Sequence, residues 1–138
     1  MQLELSKKEF RRLLDLAYIG NWILNSIRGE DRFRDYDQVE SLLFEKARQE
    51  GWDLLAETYQ GETVPSRAFV EGGIHEAIME YENCVFFDIL AEDLARRDMN
   101  DVPIDASNYA ELNRRIEAYI NEFEANGTDN ISVDSDTL

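Results

Sequence analysis

An N-terminal helix with a well-marked start is the feature that most constrains the fold of this chain. Ser6 and Glu9 have the spacing of a capping box, in which each side chain binds the backbone of the other residue. Apolar residues then recur with the spacing of one helix side, and Gly29 provides a C-terminal stop. The pattern predicts a helix over residues 7–28.

The second half of this helix is apolar on nearly every side. Its charge-free run, Leu16–Ile27, is the longest in the sequence at 12 residues. A membrane span needs about 20 residues, so the run predicts a central helix that neighbouring helices cover on several sides. The sequence therefore predicts no membrane partner.

Further helical patterns follow along the chain. They predict helices over residues 36–50, 52–59, 74–98 (with a break near Glu82 and Asn83) and 108–125, and a loop over residues 61–73. Alternating apolar residues predict a two-stranded β pair that joins the termini through Leu3, Leu5, Ile131 and Val133. The predicted fold class is mainly α, with about five to six helices around the N-terminal helix. Residues 1–133 form one predicted domain, followed by a frayed acidic tail over residues 134–138.

The charge of the chain is strongly negative and unevenly distributed. The formal net charge is −16, of which residues 1–70 contribute −3 and residues 71–138 contribute −13. A field of this sign repels nucleic-acid phosphates and anionic lipids and attracts basic partners. We therefore expect a protein partner or self-association, and no direct binding to nucleic acid.

Motifs for catalysis or cofactor binding are absent from the sequence. The chain has no glycine-rich phosphate loop, no Gly-x-Ser-x-Gly motif and no Cys-x-x-Cys pair, and it contains one histidine and one cysteine. Common nucleophile–base pairs therefore have few candidates, and no cofactor is predicted. The single Cys84 lies in an apolar run, which predicts a buried thiol in a reducing, cytoplasmic location.

One stripe on the first helix combines the residue types of a recognition surface. Its members follow helical spacing opposite the core line: Arg11, Asp15, Tyr18, Trp22 and Asn25. Aromatic and arginine side chains are enriched where proteins bind their partners. The same stripe also fits a helix that is packed on both sides, so both interpretations stay open.

His75 suggests an alternative of a different class. Carboxylates such as Glu71 lie near it in sequence, and together they are candidates for a metal-binding site or an enzyme. The chain has no second histidine with which to form a His-x-x-x-His pair. A surface or capping role is the commoner use of a histidine at a helix start.

The acidic half suggests a third class, a DNA mimic that inhibits a nucleic-acid-binding protein. Carboxylates would replace phosphates in the basic groove of the target, and the candidates are Asp88, Glu92, Asp98, Glu117 and Glu124. An acidic surface more often only keeps a protein soluble. Glu92 and Asp93 each precede an arginine by four residues, which is the favourable order for helix ion pairs.

The basic residues of the chain are concentrated in its N-terminal half: Lys7, Lys8, Arg11, Arg12, Arg28, Arg32 and Arg34. Their charge is opposite to that of the acidic half, so they can pair with it within the fold or between two copies. Together with the apolar run of the first helix, this complementarity predicts a weak preference for a homodimer.

Two stretches carry a resemblance to known sequences, namely Tyr18–Trp22 together with Asn25, and Tyr81–Asp98. They are similar to segments of a family of small, acidic bacterial proteins without an assigned activity. The resemblance implies a bacterial-type cytoplasmic protein and transfers no ligand or catalytic residue. The missing nucleophile and base set, together with the aromatic-rich and highly charged composition, lead us to expect an interaction or regulatory module without catalysis of its own.

Overall fold

The computed structural model describes residues 2–133, which are mainly helical. The elements in chain order are α1 (Lys7–Asn25), α2 (Arg34–Gln49), a 3-10 turn (Asp53–Leu55), β1 (Ala56–Tyr59), β2 (Glu62–Pro65), the one-turn α3 (Arg67–Phe69), a wide turn (Val70–Ile74), α4 (His75–Asp98) and α5 (Tyr109–Asn126). The chain divides into two compact units, unit 1 (residues 1–79) and unit 2 (residues 80–138). No helix in the described range is long and apolar enough to cross a membrane.

The start of α1 confirms the predicted capping box. The Glu9 amide donates to the Ser6 hydroxyl at 3.3 Å, and the Ser6 amide donates to the Glu9 carboxylate at 2.8 Å. The helix ends at Asn25, before the predicted end at residue 28. The Asn25 side chain exchanges two hydrogen bonds with the backbone of Phe33, and these bonds hold the following loop against the last turn.

An antiparallel hairpin follows α2, so the predicted helix over residues 52–59 and the predicted loop over residues 61–73 are wrong. β1 pairs with β2 in a register that runs from Ala56 and Pro65 to Tyr59 and Glu62. Gln60 and Gly61 connect the strands, both with positive φ, which matches the twist of a tight hairpin. An isolated helix of eight residues is only marginally stable in water. The 3-10 turn and the first strand of the hairpin occupy the place of the predicted helix.

The predicted strand pair between the chain ends does not form. Leu3, Leu5, Ile131 and Val133 all lie outside strands, and β1–β2 is the sheet found within residues 2–133. Two alternating residues at each end offer too few cross-strand contacts to hold a sheet. The predicted tail over residues 134–138 lies outside the described residues.

α4 is one continuous helix, so the break predicted near Glu82 and Asn83 is wrong. The apolar side of α4 changes along the helix because its two ends have different surroundings. Ile78 is buried in unit 1, whereas Ala91 and Ala95 are buried in unit 2. Cys84 lies between these regions and is exposed, so the predicted burial of its thiol is also wrong.

The core of unit 1 is built around aromatic rings from three helices. Phe69 of α3 contacts Phe44 of α2 edge to face at 4.8 Å and Tyr18 of α1 at 5.6 Å between ring centres. Leu14 and Phe44 are completely buried.

The other side of α1 is exposed to solvent, with Leu16 exposed by 67% and Ile27 by 86%. The predicted cover of α1 on several sides is therefore wrong, because α2, α3 and the start of α4 all approach one side.

Unit 2 has a much smaller interior. Its buried apolar residues within the described range are Ala91, Ala95, Leu112 and Phe123. Phe87 of α4 contacts Phe123 of α5 at 5.4 Å between ring centres. The Tyr119 hydroxyl donates to the Asp98 carboxylate at 2.5 Å and ties the same two helices together. α5 matches its predicted range to within one residue at each end.

Candidate functional site

The predicted recognition stripe lies on one side of α1, and that side faces the interior of unit 1. Asp15, Tyr18 and Asn25 are buried, whereas Arg11 and Trp22 are half-buried. Arg11 forms an ion pair with Asp15, and its guanidinium lies 4.7 Å from the centre of the Phe69 ring. Packing within unit 1 accounts for these contacts. A role of the stripe in partner recognition stays a prediction.

His75, the first residue of α4, packs against this stripe. Tyr18 Oη lies 3.3 Å from His75 Nδ1, and the ring centres of Trp22 and His75 are 4.8 Å apart, edge to face. The wide turn before His75 contains Gly73 with φ of +108°, a conformation that glycine adopts far more readily than other residues. The kink at Gly73 thus brings α4 into unit 1 with His75 next to Tyr18.

The surroundings of His75 do not form a metal site in the described chain. Within residues 2–133, no three His, Cys, Asp or Glu side chains lie close enough together to hold a metal ion. Protein sites for transition metals usually supply three or four such ligands. The neighbours of His75 that the structure shows are the aromatic side chains of Tyr18 and Trp22, so the metal alternative gains no support.

A polar network joins α1 to α2 beside these rings. Asn21 Nδ2 donates to Asp37 Oδ1 at 3.1 Å and to Glu40 Oε2 at 3.0 Å. Asn25 Nδ2 donates to Asn21 Oδ1 at 2.8 Å. Arg32 donates twice to the Asp37 carboxylate, at 3.0 and 2.7 Å. This network was not predicted from the sequence, although two asparagines one turn apart on a buried helix side are a signal that polar partners are needed.

The two carboxyl groups of the network have different electrostatic surroundings. Hydrogen bonds from Arg32 hold the pKa of Asp37 below its usual value. Burial raises the pKa of Glu40 to about 7, and the charge of Asp37 adds to this rise, while the hydrogen bond from Asn21 opposes it. Burial, together with the nearby Glu40, also raises the pKa of Tyr18. The carboxyl group of Glu40, which lies between α1 and α2, is therefore expected to gain or lose its proton near pH 7.

Four arginines of the basic set, Arg11, Arg12, Arg28 and Arg32, form ion pairs with acids nearby in the sequence. The shortest nitrogen–oxygen distances are 3.0 Å between Arg12 and Asp15 and 2.9 Å between Arg28 and Asp31. Arg32 and Asp37 are 2.7 Å apart by the same measure. All these pairs lie within unit 1. The pairing of this basic set with a second copy of the chain stays a prediction.

A second candidate surface lies on α4 in unit 2. Phe87 and Ala91 mark the side of α4 that packs inside the unit. Successive helix residues are turned by about 100°, so the side away from α5 carries Val85, Phe86 and Ile89, which we call the outer face of α4. Phe86 is exposed by 52% and Ile89 by 56%, and Val85 is half-buried.

The charged residues around this face are almost all acidic. Residues 80–133 hold thirteen Asp and Glu against four Arg, a net charge of −9. Each of these arginines already forms an ion pair with a neighbouring acid: Arg96 with Glu92, Arg97 with Asp98, and Arg114 and Arg115 with Glu111. Unit 2 therefore presents an acidic surface on which the positive charges are neutralised locally.

The residues suggested for a DNA mimic all lie in unit 2. Asp88, Glu117 and Glu124 are exposed, whereas Glu92 is paired with Arg96, and Asp98 accepts hydrogen bonds from Arg97 and Tyr119. Hydrogen bonds from Tyr119 and then Arg97 hold the pKa of Asp98 below its usual value.

Comparisons of this chain with protein-family models, with curated proteins and with solved structures give no match. The resemblance to small, acidic bacterial proteins therefore stays an expectation from the sequence.

Proposed function

We propose that the chain is a protein-interaction module whose partner binds to the outer face of α4. The observation that carries the proposal is the exposure of Phe86 and Ile89, at 52% and 56%, on the side of α4 opposite the packed side. Single exposed apolar residues are normal on protein surfaces. Adjacent large ones on one helix side, with acids around them, are typical of a surface that binds another protein.

The small interior of unit 2 supports the same proposal. Its buried apolar residues include two alanines, and a helix pair of this size gains little from burying them. A partner that covers Phe86 and Ile89 would remove apolar surface from water, which is worth roughly 25 cal/mol per Å². Binding would thus supply burial that unit 2 lacks, and no catalytic step is needed for this function.

The proposal is tested with a double substitution, Phe86→Ser with Ile89→Ser. The matched control is Val39→Ser with Leu42→Ser, which changes two exposed apolar residues on α2, in unit 1. The tagged wild type and both variants are used to capture proteins from a bacterial lysate. Each captured protein is then purified and its affinity for the three chains is measured by calorimetry.

We expect a partner that binds the wild type and the α2 control equally and loses at least tenfold in affinity for the α4 variant. Equal capture by all three chains, or capture by none of them, would contradict the proposal. A DNA mimic would bind through carboxylates alone, so retention of a DNA-binding partner by the α4 variant would favour that alternative instead.

A further inference from the structure

We infer that the segment that occupies the outer face of α4 is a basic amphipathic helix; this inference rests on the function proposed above. The outer face is a ridge on a helix, and helices pack such ridges into the grooves of another helix at interaxial distances of about 8–10 Å. An extended strand on the same ridge would find no sheet edge with which to pair its backbone. A helix satisfies its own backbone hydrogen bonds and offers only side chains to the ridge.

Two acids extend the ridge at its ends. Glu82 precedes Val85 and Phe86 by three and four residues, and Asp93 follows Ile89 by four, so both lie on the same side of α4 as the apolar residues. Both are exposed, and within residues 2–133 neither takes part in an ion pair. A partner helix with lysine or arginine at the ends of its apolar stripe would place opposite charges next to both carboxylates.

The charge of unit 2 selects against other partners. Residues 80–133 carry a net charge of −9 and their four arginines are already paired. An acidic partner, or unit 2 of a second copy, would bring like charges together, which lowers both the association rate and the affinity. A basic partner is attracted from a distance and then covers the apolar ridge.

Three synthetic peptides of 18 residues test the inference against the full-length chain by fluorescence anisotropy. The first has leucines on one helix side and lysines on the other, the second replaces every lysine by glutamate, and the third has the first peptide's composition in an order without a leucine stripe. The chain is used as wild type, as Phe86→Ser with Ile89→Ser, and as Glu82→Gln with Asp93→Asn. The matched control is Glu117→Gln with Glu124→Gln, which removes two exposed acids from α5 in the same unit.

We expect the basic amphipathic peptide to bind the wild type at least tenfold more tightly than the other two peptides do. The serine pair should weaken this binding about tenfold, and the Glu82 and Asp93 pair about three- to tenfold. The α5 control should change it by less than about twofold, because rim charges outside the contact act mainly through the screened net field. Far-UV circular dichroism of each variant checks that the helices are intact.

The outcomes separate the inference from the proposed function. Equal weakening by the two charge-removing pairs, or equal binding of the acidic peptide, would overturn the basic partner and leave the outer face as a docking site. Failure of every peptide, with self-association of the wild type that the serine pair abolishes, would assign the face to a second copy. Unchanged peptide binding by the serine pair would overturn both the inference and the proposed surface.

Discussion

The two units are both mainly helical, but they differ in where their large apolar side chains lie. In unit 1, Leu14, Phe44 and Phe69 are buried together. In unit 2, the fully buried residues of α4 are Ala91 and Ala95, while Phe86 and Ile89 lie on the exposed side. A helical pattern in the sequence therefore does not by itself say how much stability a segment gains, because burial of large side chains supplies most of it.

The units also differ in their polar contacts. Unit 1 has buried asparagines, Asn21 and Asn25, whose hydrogen bonds fix α1 against α2 and the loop between them. The ion pairs of unit 2 lie at the surface, where each contributes less than about 1 kcal/mol. Both tryptophans, Trp22 and Trp52, belong to unit 1. Tryptophan fluorescence therefore reports on unit 1, and far-UV circular dichroism reports on both units.

The largest predicted effect is that of Phe44→Ala. Phe44 is completely buried and contacts Phe69, so the substitution leaves a cavity and should lower the free energy of unfolding of unit 1 by about 3–5 kcal/mol. Urea unfolding followed by tryptophan fluorescence measures the change. The control Phe86→Ala removes an exposed ring of the same size from unit 2. Its unfolding is followed by far-UV circular dichroism, which reports on both units, and the substitution should cost less than about 1 kcal/mol. Similar losses for the two variants would show that the contrast in burial is wrong.

Asn25→Ala should come next in size. Asn25 is 1% exposed and exchanges hydrogen bonds with Phe33, so its loss leaves the part-buried backbone amide of Phe33 without its acceptor. We expect a loss of about 1–3 kcal/mol in the free energy of unfolding of unit 1. The control is Asn121→Ala on the exposed side of α5, in unit 2, which should have little effect on unfolding followed by far-UV circular dichroism, the signal that reports on both units. A smaller loss for Asn25→Ala than for Asn121→Ala would contradict the structural role of the network.

Glu40→Gln should change the pH dependence of unit 1. The pKa of Glu40 is raised to about 7 in the folded state, so the folded protein binds this proton more tightly than the unfolded chain does. Protonated Glu40 therefore stabilises unit 1 fully below pH 4.5, which is the pKa of this group in the unfolded chain. This contribution to the free energy of unfolding is lost as the pH rises through about 7. Because Glu40 is partly exposed, we expect a loss on the order of 1–2 kcal/mol between pH 5 and pH 8.

Unfolding curves at several pH values measure this slope for the wild type and for Glu40→Gln, which cannot ionise at this position. Glu57→Gln changes an exposed glutamate on β1 and serves as the control. The slope should persist in the control and disappear in Glu40→Gln. An identical slope in all three proteins would mean that the burial of Glu40 does not perturb its protonation.

The smallest predicted effect on stability is that of Ile89→Ser. The side chain lies on the outer face of α4 and is exposed by 56%. The free energy of unfolding, obtained from thermal unfolding followed by circular dichroism, should therefore change by no more than about 0.5 kcal/mol. Ala91→Ser, at a completely buried position two residues further along, provides the comparison and should cost more because a hydroxyl would be buried there. A large loss for Ile89→Ser would show that its face is already covered in the free protein.

Local signals in the sequence predicted the helices better than they predicted the contacts. The capping box at Ser6 acts within a few residues, so the start of α1 is placed well. The same holds for the end of α5, where Asn126 is the last helical residue and Gly127 follows with positive φ. The hairpin was missed because Gln60 is an unusual residue for a tight turn with positive φ. The break in α4 was wrongly predicted because a change of apolar side along a helix reflects its surroundings, which are set by distant parts of the chain.

The site residues show the same limit. The sequence indicated that Tyr18, Trp22 and Asn25 lie on one helix side, and they do. Its placement of that side opposite the core line is wrong, because Tyr18 belongs to the buried core and Trp22 packs against it. The sequence could not indicate that α2 would cover that side and bring Asp37 and Glu40 to the two asparagines, because these contacts join residues more than ten positions apart. The exposure of Phe86 was equally hidden, since a phenylalanine in an apolar helix is usually buried.

The position of Cys84 has a consequence for the covalent chemistry of purified samples. It is the only thiol in the chain and it is exposed, so a maleimide or iodoacetamide probe attaches at one site, on the side of α4 that also carries Phe87 three residues later. Without reductant, air oxidation can join two chains only through the same residue on each, which gives a symmetric disulfide-linked species. Such a species has twice the mass of the 16.1 kDa chain. Its disappearance on addition of a reductant distinguishes it from a dimer held together by non-covalent contacts.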